Sequence, residues 1–200
     1  MDIFGIILGG GNGVRLGGVD KARLRLSGNT LLQHVTARLE SQCNSIVAVG
    51  IHPQRIGVNL PAISDVFQPP IGPLGGIYTG ALWAKSQTKD IAKSWILTAP
   101  VDGPLFPKDF FSRASAIDSG RGPIIGRFGS NLYPVCGLWP LAHALKIADL
   151  HKQQSGNAIR PVLSALNAQE LDFEPFYQQN PFINANQIGD LLQLASRIRG

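Results

Sequence analysis

The chain has 200 residues, 44% of them hydrophobic and 16% charged, with 18 basic against 13 acidic residues and a formal net charge of +5. That balance excludes a disordered chain and supplies enough apolar material for one α/β domain over 1–200. The basic residues are scattered, with no run longer than two and none interleaved with aromatics, so phosphate-rich small molecules explain the charge better than nucleic acid does.

In chain order, Ile3 to Leu8 is an apolar run that reads as a buried strand. A glycine-rich loop follows, and then Leu32, Val35, Leu39 and Cys43 recur at near-helical spacing, which predicts a helix over 30–43. Ser45 to Gly50 reads as a second buried strand, and Pro61 to Val66 as a short third one that contains Asp65. Gly72-Pro73-Leu74-Gly75-Gly76-Ile77 opens a helix expected to run to about Gln87. Ser94 to Ala99 is a continuous apolar strand, ended by Pro100-Val101-Asp102-Gly103-Pro104, and Pro107 introduces a helix over 108–117. Pro123 to Phe128 and Asn131 to Trp139 flank Gly129-Ser130 and predict a hairpin. Helices over 140–152 and from Arg160 to Asn167 are expected next, then short strands at Glu170 to Phe173 and Phe182 to Ala185. The last helix carries Ile188, Leu191, Leu192, Ala195 and Ile198 on one face. Alternating strands and helices of this kind specify a mostly parallel sheet with covering helices.

Cys43 and Cys136 form neither a disulfide framework nor a zinc pattern, and each falls in apolar surroundings as a small core residue. The four histidines, His34, His52, His143 and His151, show no metal spacing and no partnered nucleophile. With no basic-then-apolar leader and no apolar run of about 18 residues, a soluble, cytoplasmic protein without membrane contact is expected.

The loop after the first strand carries the chemistry. Gly9, Gly10, Gly11, Gly13, Gly17 and Gly18 surround Arg15, and Lys21 follows. Glycine lets backbone N–H groups converge on an anion, and the two cations suit a triphosphate. Neither the P-loop pattern nor the dinucleotide fingerprint fits these spacings. Asp102 stands just past a buried strand, where open α/β sheets bind ligands, and the flanking prolines stiffen its turn. Its carboxylate is a hard oxygen ligand of the kind Mg²⁺ takes; the same residue type also caps turns. Asn184 and Asn186 share one face of the expected strand, and Asn186 is equally placed to cap the following helix. Asp65 is, by type and position alone, as readily a loop-capping residue, and the Gly72–Gly76 junction opens a helix whose N-terminus could face a nucleotide, although a plain tight turn uses the same residues.

The run Leu8-Gly9-Gly10-Gly11-Asn12-Gly13-Val14-Arg15-Leu16-Gly17-Gly18-Val19-Asp20-Lys21 resembles the signature of the molybdenum cofactor guanylyltransferases. Asp65 with Gly-Pro-Leu-Gly-Gly-Ile, Pro-Val-Asp-Gly-Pro and the Phe-Ile-Asn-Ala-Asn segment follow in family order, so the resemblance covers nearly the whole chain. It implies a Rossmann-like, three-layer α/β/α sandwich with a mixed sheet, of the nucleotide-diphospho-sugar transferase type. It implies Mg²⁺-dependent transfer of GMP from GTP to the terminal phosphate of molybdopterin or its molybdenum-loaded form. Arg15, Lys21 and Asp102 are then the catalytic residues, and Asp102 and Asn186 the metal ligands. The nucleotide site comprises Leu8, Gly9, Gly10, Gly11, Gly13, Arg15, Lys21, Asp65, Gly75 and Asp102. Transient contact with cofactor-delivering or molybdoenzyme proteins is implied as well.

The sequence departs from the family at two places. Val49-Gly50-Ile51-His52 replaces a segment that often carries a base-reading asparagine, and Gly9 stands where alanine is more usual. Nucleotidyl transfer is therefore specified more closely than guanine. The cytidylyltransferases of the same cofactor and the sugar-phosphate nucleotidyltransferases share the N-terminal signature in looser form and define the alternative. A catalytically silent nucleotide-binding partner in cofactor delivery is a second alternative, against which the presence of Arg15, Lys21 and Asp102 argues.

Overall fold

The computed structural model describes residues 1–9, 20–51, 58–153 and 156–199. A seven-stranded sheet has the order β5-β4-β1-β6-β8-β7-β9, formed by β1 (Asp2–Leu8), β4 (Ser45–Val49), β5 (Ala62–Ile63), β6 (Ser94–Pro100), β7 (Ile124–Phe128), β8 (Asn131–Pro140) and β9 (Gln169–Asp172). β1 pairs parallel with β4 and β6, β4 with β5, and β7 with β9; only β8 runs antiparallel to its neighbours. A separate two-stranded ribbon joins β2 (Arg25–Leu26) to β3 (Asn29–Thr30).

The strands alternate their side chains between two apolar layers. Phe4, Ile6, Val47, Ile96 and Trp139 face α2 (Pro73–Gln87) together with α4 (Leu141–Ala144), α5 (Ile147–Lys152) and α6 (Ile159–Ala165). Ile7, Ala48, Leu97 and Leu138 face α1 (Leu31–Leu39) and α3 (Phe110–Ile117). Thr30 starts α1 through a capping box: its hydroxyl accepts from the Gln33 N–H at 3.1 Å, and the Gln33 side chain accepts from the Thr30 N–H at 2.7 Å. Pro73 occupies the first turn of α2 after Gly72, whose φ of 71° lies in the left-handed region. Among the described residues no helix is long and apolar enough to cross a membrane.

Several expectations need correction. The helix over 140–152 is two helices, because the turn at Leu145–Lys146 lets both Ala144 and Ile147 reach full burial. Phe182 to Ala185 is not a strand: Phe182 lies in a turn and 183–185 have no regular structure, with the Ala185 N–H donating to the Asp102 carbonyl at 2.8 Å. On α7 (Ile188–Arg199) it is Leu194, fully buried, that joins Leu191, Ala195 and Ile198 in packing. Leu192 is 70% exposed and points away, and the Ile188 side chain lies outside the described residues. The β2–β3 ribbon was not expected. It turns on Ser27 and Gly28, both at positive φ, in a stretch too short to show alternation.

Gly80 shows how closely α2 lies on the sheet. A Cβ there would stand 2.5 to 3.0 Å from three atoms of the fully buried Ile6 side chain. Alanine should gain up to about 1 kcal/mol in helix propensity but force a branched core side chain to move, which typically costs about 1–3 kcal/mol. Gly80→Ala should therefore lower the melting temperature; an unchanged or raised value would show that α2 can back away from β1.

Candidate active site

The strand order reverses direction at β1, with β4 on one side and β6 on the other. Ligands of open α/β sheets bind in the crevice past the carboxyl ends of strands at such a point. Leu8 is in register with Val49 on one side and Pro100 on the other, and Val49 with Ile63. The backbone extends this alignment, since the Gly9 N–H donates to the Val49 carbonyl and the Val101 N–H to the Leu8 carbonyl. Asp102 and Asp65 each follow that line by two residues, on strands separated by three inter-strand steps, about 14 Å of sheet edge at roughly 4.8 Å per step.

Three remote segments meet at Asp102. The Lys21 ammonium donates to Asp102 Oδ2 at 2.6 Å and to Asn186 Oδ1 at 2.7 Å. The side chains of Lys21 and Asp102 are only 19% and 14% exposed, so the pair sits in a partly desolvated crevice where the interaction is stronger than at an open surface. Lys21 opens a 3₁₀ turn, Lys21–Arg23, which the Asp20 carboxylate caps through the Ala22 N–H at 3.1 Å. Asp102 sits in a tight turn where the Gly103 N–H meets the Pro100 carbonyl at 3.1 Å. Gly103 lets the C-terminal segment come near: a Cβ would be 3.3 Å from Pro100 Cγ and 3.5 Å from Asn184 Oδ1.

Asn186 is placed by packing at one end and capping at the other. Phe182, 2% exposed, stacks on Tyr133 at 4.8 Å between centroids and meets Phe173 edge-on at 5.1 Å. Gly126 makes room for it, because a Cβ there would lie 2.7 Å from Phe182 Cζ. Asp190 Oδ2 then accepts from the Asn186 and Gln187 N–H groups at 2.9 and 3.0 Å, holding the start of α7. Sequence reading missed Asp190; the signal was an acid in the first turn of the last helix. A cavity of about 610 Å³ opens here, with Asn184, Asn186, Gln187 and Asp190 in its wall.

The Cys136 thiol is buried, at 2% exposure. Burial, and then the charge of Asp102, push the Cys136 thiol far above its ordinary range, and burial pushes Cys43 up to about 12. His34 Nε2 lies 2.7 Å from the Leu26 carbonyl, a packing role. Among the described residues no three or more His, Cys, Asp or Glu side chains gather as a metal site.

The described structure thus brings together Lys21, Asp102 and Asn186, places Leu8 and Gly9 at the adjoining strand end, and sets Asp65 against Gly75 farther along the edge. Gly10, Gly11, Gly13 and Arg15 lie outside the described residues.

A model of the MobA-like NTP transferase domain matches residues 5–170. The chain belongs to this family. The molybdenum cofactor guanylyltransferase of Cereibacter sphaeroides is 34% identical over 209 aligned positions, covering 100% of this chain and 98% of the relative. That of Rhodopseudomonas palustris (strain HaA2) is 34% identical over 194 positions, covering 94% and 88%. Among solved structures, molybdopterin-guanine dinucleotide biosynthesis protein A from Archaeoglobus fulgidus superposes with a TM-score of 0.73 at 18% identity, covering 98% of each chain. The 2-C-methyl-D-erythritol 4-phosphate cytidylyltransferase of Thermus thermophilus gives 0.67 at 11%, again covering 98% of each. These two show the shared fold, the α/β/α sandwich expected from the sequence. The protein is a nucleotidyltransferase.

Iodoacetamide at pH 8 should leave Cys43 and Cys136 of this nucleotidyltransferase unmodified while it is folded, and label both in denaturant. Rapid native labelling of Cys136 would mean that the layer behind Asp102 is open to solvent.

Proposed function

We propose that this nucleotidyltransferase moves GMP from GTP to the terminal phosphate of molybdopterin, or of its molybdenum-loaded form. The observation that carries the reading is the 34% identity, along the entire chain, to a protein named molybdenum cofactor guanylyltransferase. An oxygen of the acceptor's terminal phosphate attacks the α-phosphorus of GTP. The bond from that phosphorus to the bridging oxygen breaks, and pyrophosphate leaves with the electron pair. Catalysis of such a transfer rests on positioning and charge neutralisation, with no covalent step for the protein.

Each residue then has a task. Gly10, Gly11 and Gly13 offer backbone N–H groups to the triphosphate, and Arg15 and Lys21 offer mobile charge; the Gly9 N–H is held by the Val49 carbonyl, so Gly9 serves by the close approach of its backbone. Lys21 is poised for this, since its ammonium can exchange one oxygen anion for another without leaving the crevice. Leu8 and Gly75 line the nucleoside side, and Asp65 accepts a hydrogen bond from it. Asp102 and Asn186 form a hard-oxygen donor pair that suits Mg²⁺, with Asn184 near the same turn. One carboxylate with amide oxygens is too few for an all-protein cage, which fits a metal shared with substrate phosphates. When bound, Mg²⁺ would supply neutralisation of the phosphate charge at this point.

Ile51 favours modest rather than strict base selection. It is 5% exposed, and its Cγ1 stands 2.0 Å from where a Gly9 Cβ would be, so an apolar side chain fills the space beside the strand end. Base reading then falls to backbone groups near Leu8 and the start of α2. The cytidylyltransferase alternative draws on the same feature.

A panel of GTP, CTP and ATP with Mg²⁺ and molybdopterin, followed by pyrophosphate release, tests the reading. GTP should be preferred by a modest factor; equal or better use of CTP would favour the alternative, and no release with any nucleotide would favour a silent binder. Lys21→Ala should lower the rate about ten- to a hundredfold, the worth of one charged hydrogen bond matured in the transition state. Unchanged turnover would remove Lys21 from the machinery.

A further inference from the structure

Asp65 holds its two carboxylate oxygens in different surroundings. Oδ1 accepts from the Phe67 N–H at 2.9 Å and from the Thr79 hydroxyl at 3.2 Å. The same hydroxyl oxygen accepts from the Val66 N–H at 3.1 Å, so Thr79 closes a small network around the turn after β5. Thr79 lies on α2 and is 2% exposed, an unusual place for a hydroxyl with no task. Oδ2 stands over the first turn of α2, 2.5 Å from where a Gly75 Cβ would be, so any side chain there would displace the carboxylate. Among the described residues none donates to Oδ2. Asp65 follows β5 on the carboxyl-end side of the sheet, the side that carries Lys21 and Asp102.

We propose that Thr79 is a positioning residue: by occupying Oδ1 it presents Oδ2 of Asp65 as a single acceptor for a hydroxyl of the nucleotide ribose. The proposal rests on the reading that Asp65 belongs to the nucleotide site. The neutral donors of GTP are the adjacent N–H groups of guanine and the ribose hydroxyls. Gripping the guanine edge with a carboxylate calls for both oxygens side by side, as in other bidentate pairs. Here two protein donors already hold Oδ1, and the single oxygen that no described residue engages matches one hydroxyl. A buried β-branched side chain on a helix has few rotamers, so the aim of Oδ2 is fixed before the nucleotide arrives.

Calorimetry of GTP, 2′-deoxy-GTP and 3′-deoxy-GTP, without metal, tests this on the wild type and on Thr79→Val, Thr79→Ser and Asp65→Asn. The wild type should bind GTP about tenfold tighter than one of the two deoxynucleotides, the worth of one hydrogen bond to a charged group. Thr79→Val should lose most of that preference, and in turnover the loss should fall on KM for GTP. Thr79→Ser, which restores the hydroxyl, should recover it. Should the valine variant fail to fold, Thr79→Ala, well suited to a helix interior, must show the same loss. Full ribose preference in a folded variant lacking the hydroxyl would overturn the role of Thr79, as would its loss in a folded Thr79→Ser. If Asp65→Asn also binds all three nucleotides as the wild type does, the fault lies in placing Asp65 at the nucleotide.

Discussion

A small apolar cluster, apart from the two main layers, holds the site in register. Leu26, Leu31, Leu105, Ala185 and Leu194 are its buried members, with Leu24, Ile183, Leu191, Ala195 and Ile198 packed around them. Each polar side chain of the centre stands a few residues from one of these: Lys21 before Leu26, Asp102 before Leu105, and Asn186 next to Ala185. The cluster joins the β2–β3 ribbon, the turn after β6 and the final helix, three pieces that share no sheet. Burial of five such side chains contributes several kcal/mol, at about 1.5–3 kcal/mol for each large one. That is enough to hold apart or bring together charges whose own attraction is modest.

The polar centre is less a source of stability than a use of it. Desolvating an ammonium and a carboxylate costs several kcal/mol, and their mutual attraction at best offsets that. What the arrangement provides is a lysine already partly desolvated and aimed, with an oxygen atom from each of Asp102 and Asn186 against it. On the proposed reading an incoming phosphate would find that charge in place and need only exchange with the oxygens already around it, the preorganisation on which phosphoryl transfer depends. The same economy governs Asp65, whose carboxylate is fixed by one backbone N–H and one buried hydroxyl.

Much of the fold was legible in the sequence because strands buried on both faces read as continuous apolar runs. Ile3 to Leu8, Ser45 to Gly50 and Ser94 to Ala99 all became central parallel strands. Asp102 was legible for a related reason: a proline-flanked acid after such a strand can only emerge at the sheet's carboxyl edge. Local pattern failed where tertiary contacts decided the outcome. Phe182 to Ala185 has strand composition but is held by an aromatic socket and one bond to the Asp102 carbonyl. Leu192 and Leu194 both fit helical spacing, and only the direction of the β2–β3 ribbon selects the second. Thr79 gave no motif, since it acts on a carboxylate fourteen residues away in the chain, whereas Asp190 carried only the weak signal of an acid in a first helical turn.

The most direct test of the Lys21–Asp102–Asn186 centre is calorimetry of GTP binding with and without Mg²⁺, on the wild type and on Asp102→Asn. Amide and carboxylate are nearly isosteric, so the variant should fold and should bind GTP without metal through the glycine loop, Arg15 and Lys21. The additional affinity that Mg²⁺ confers on the wild type should be absent from the variant, because a neutral ligand holds a reluctantly dehydrated cation poorly. An identical Mg²⁺ dependence in the two proteins would place the metal elsewhere and contradict the assignment of Asp102.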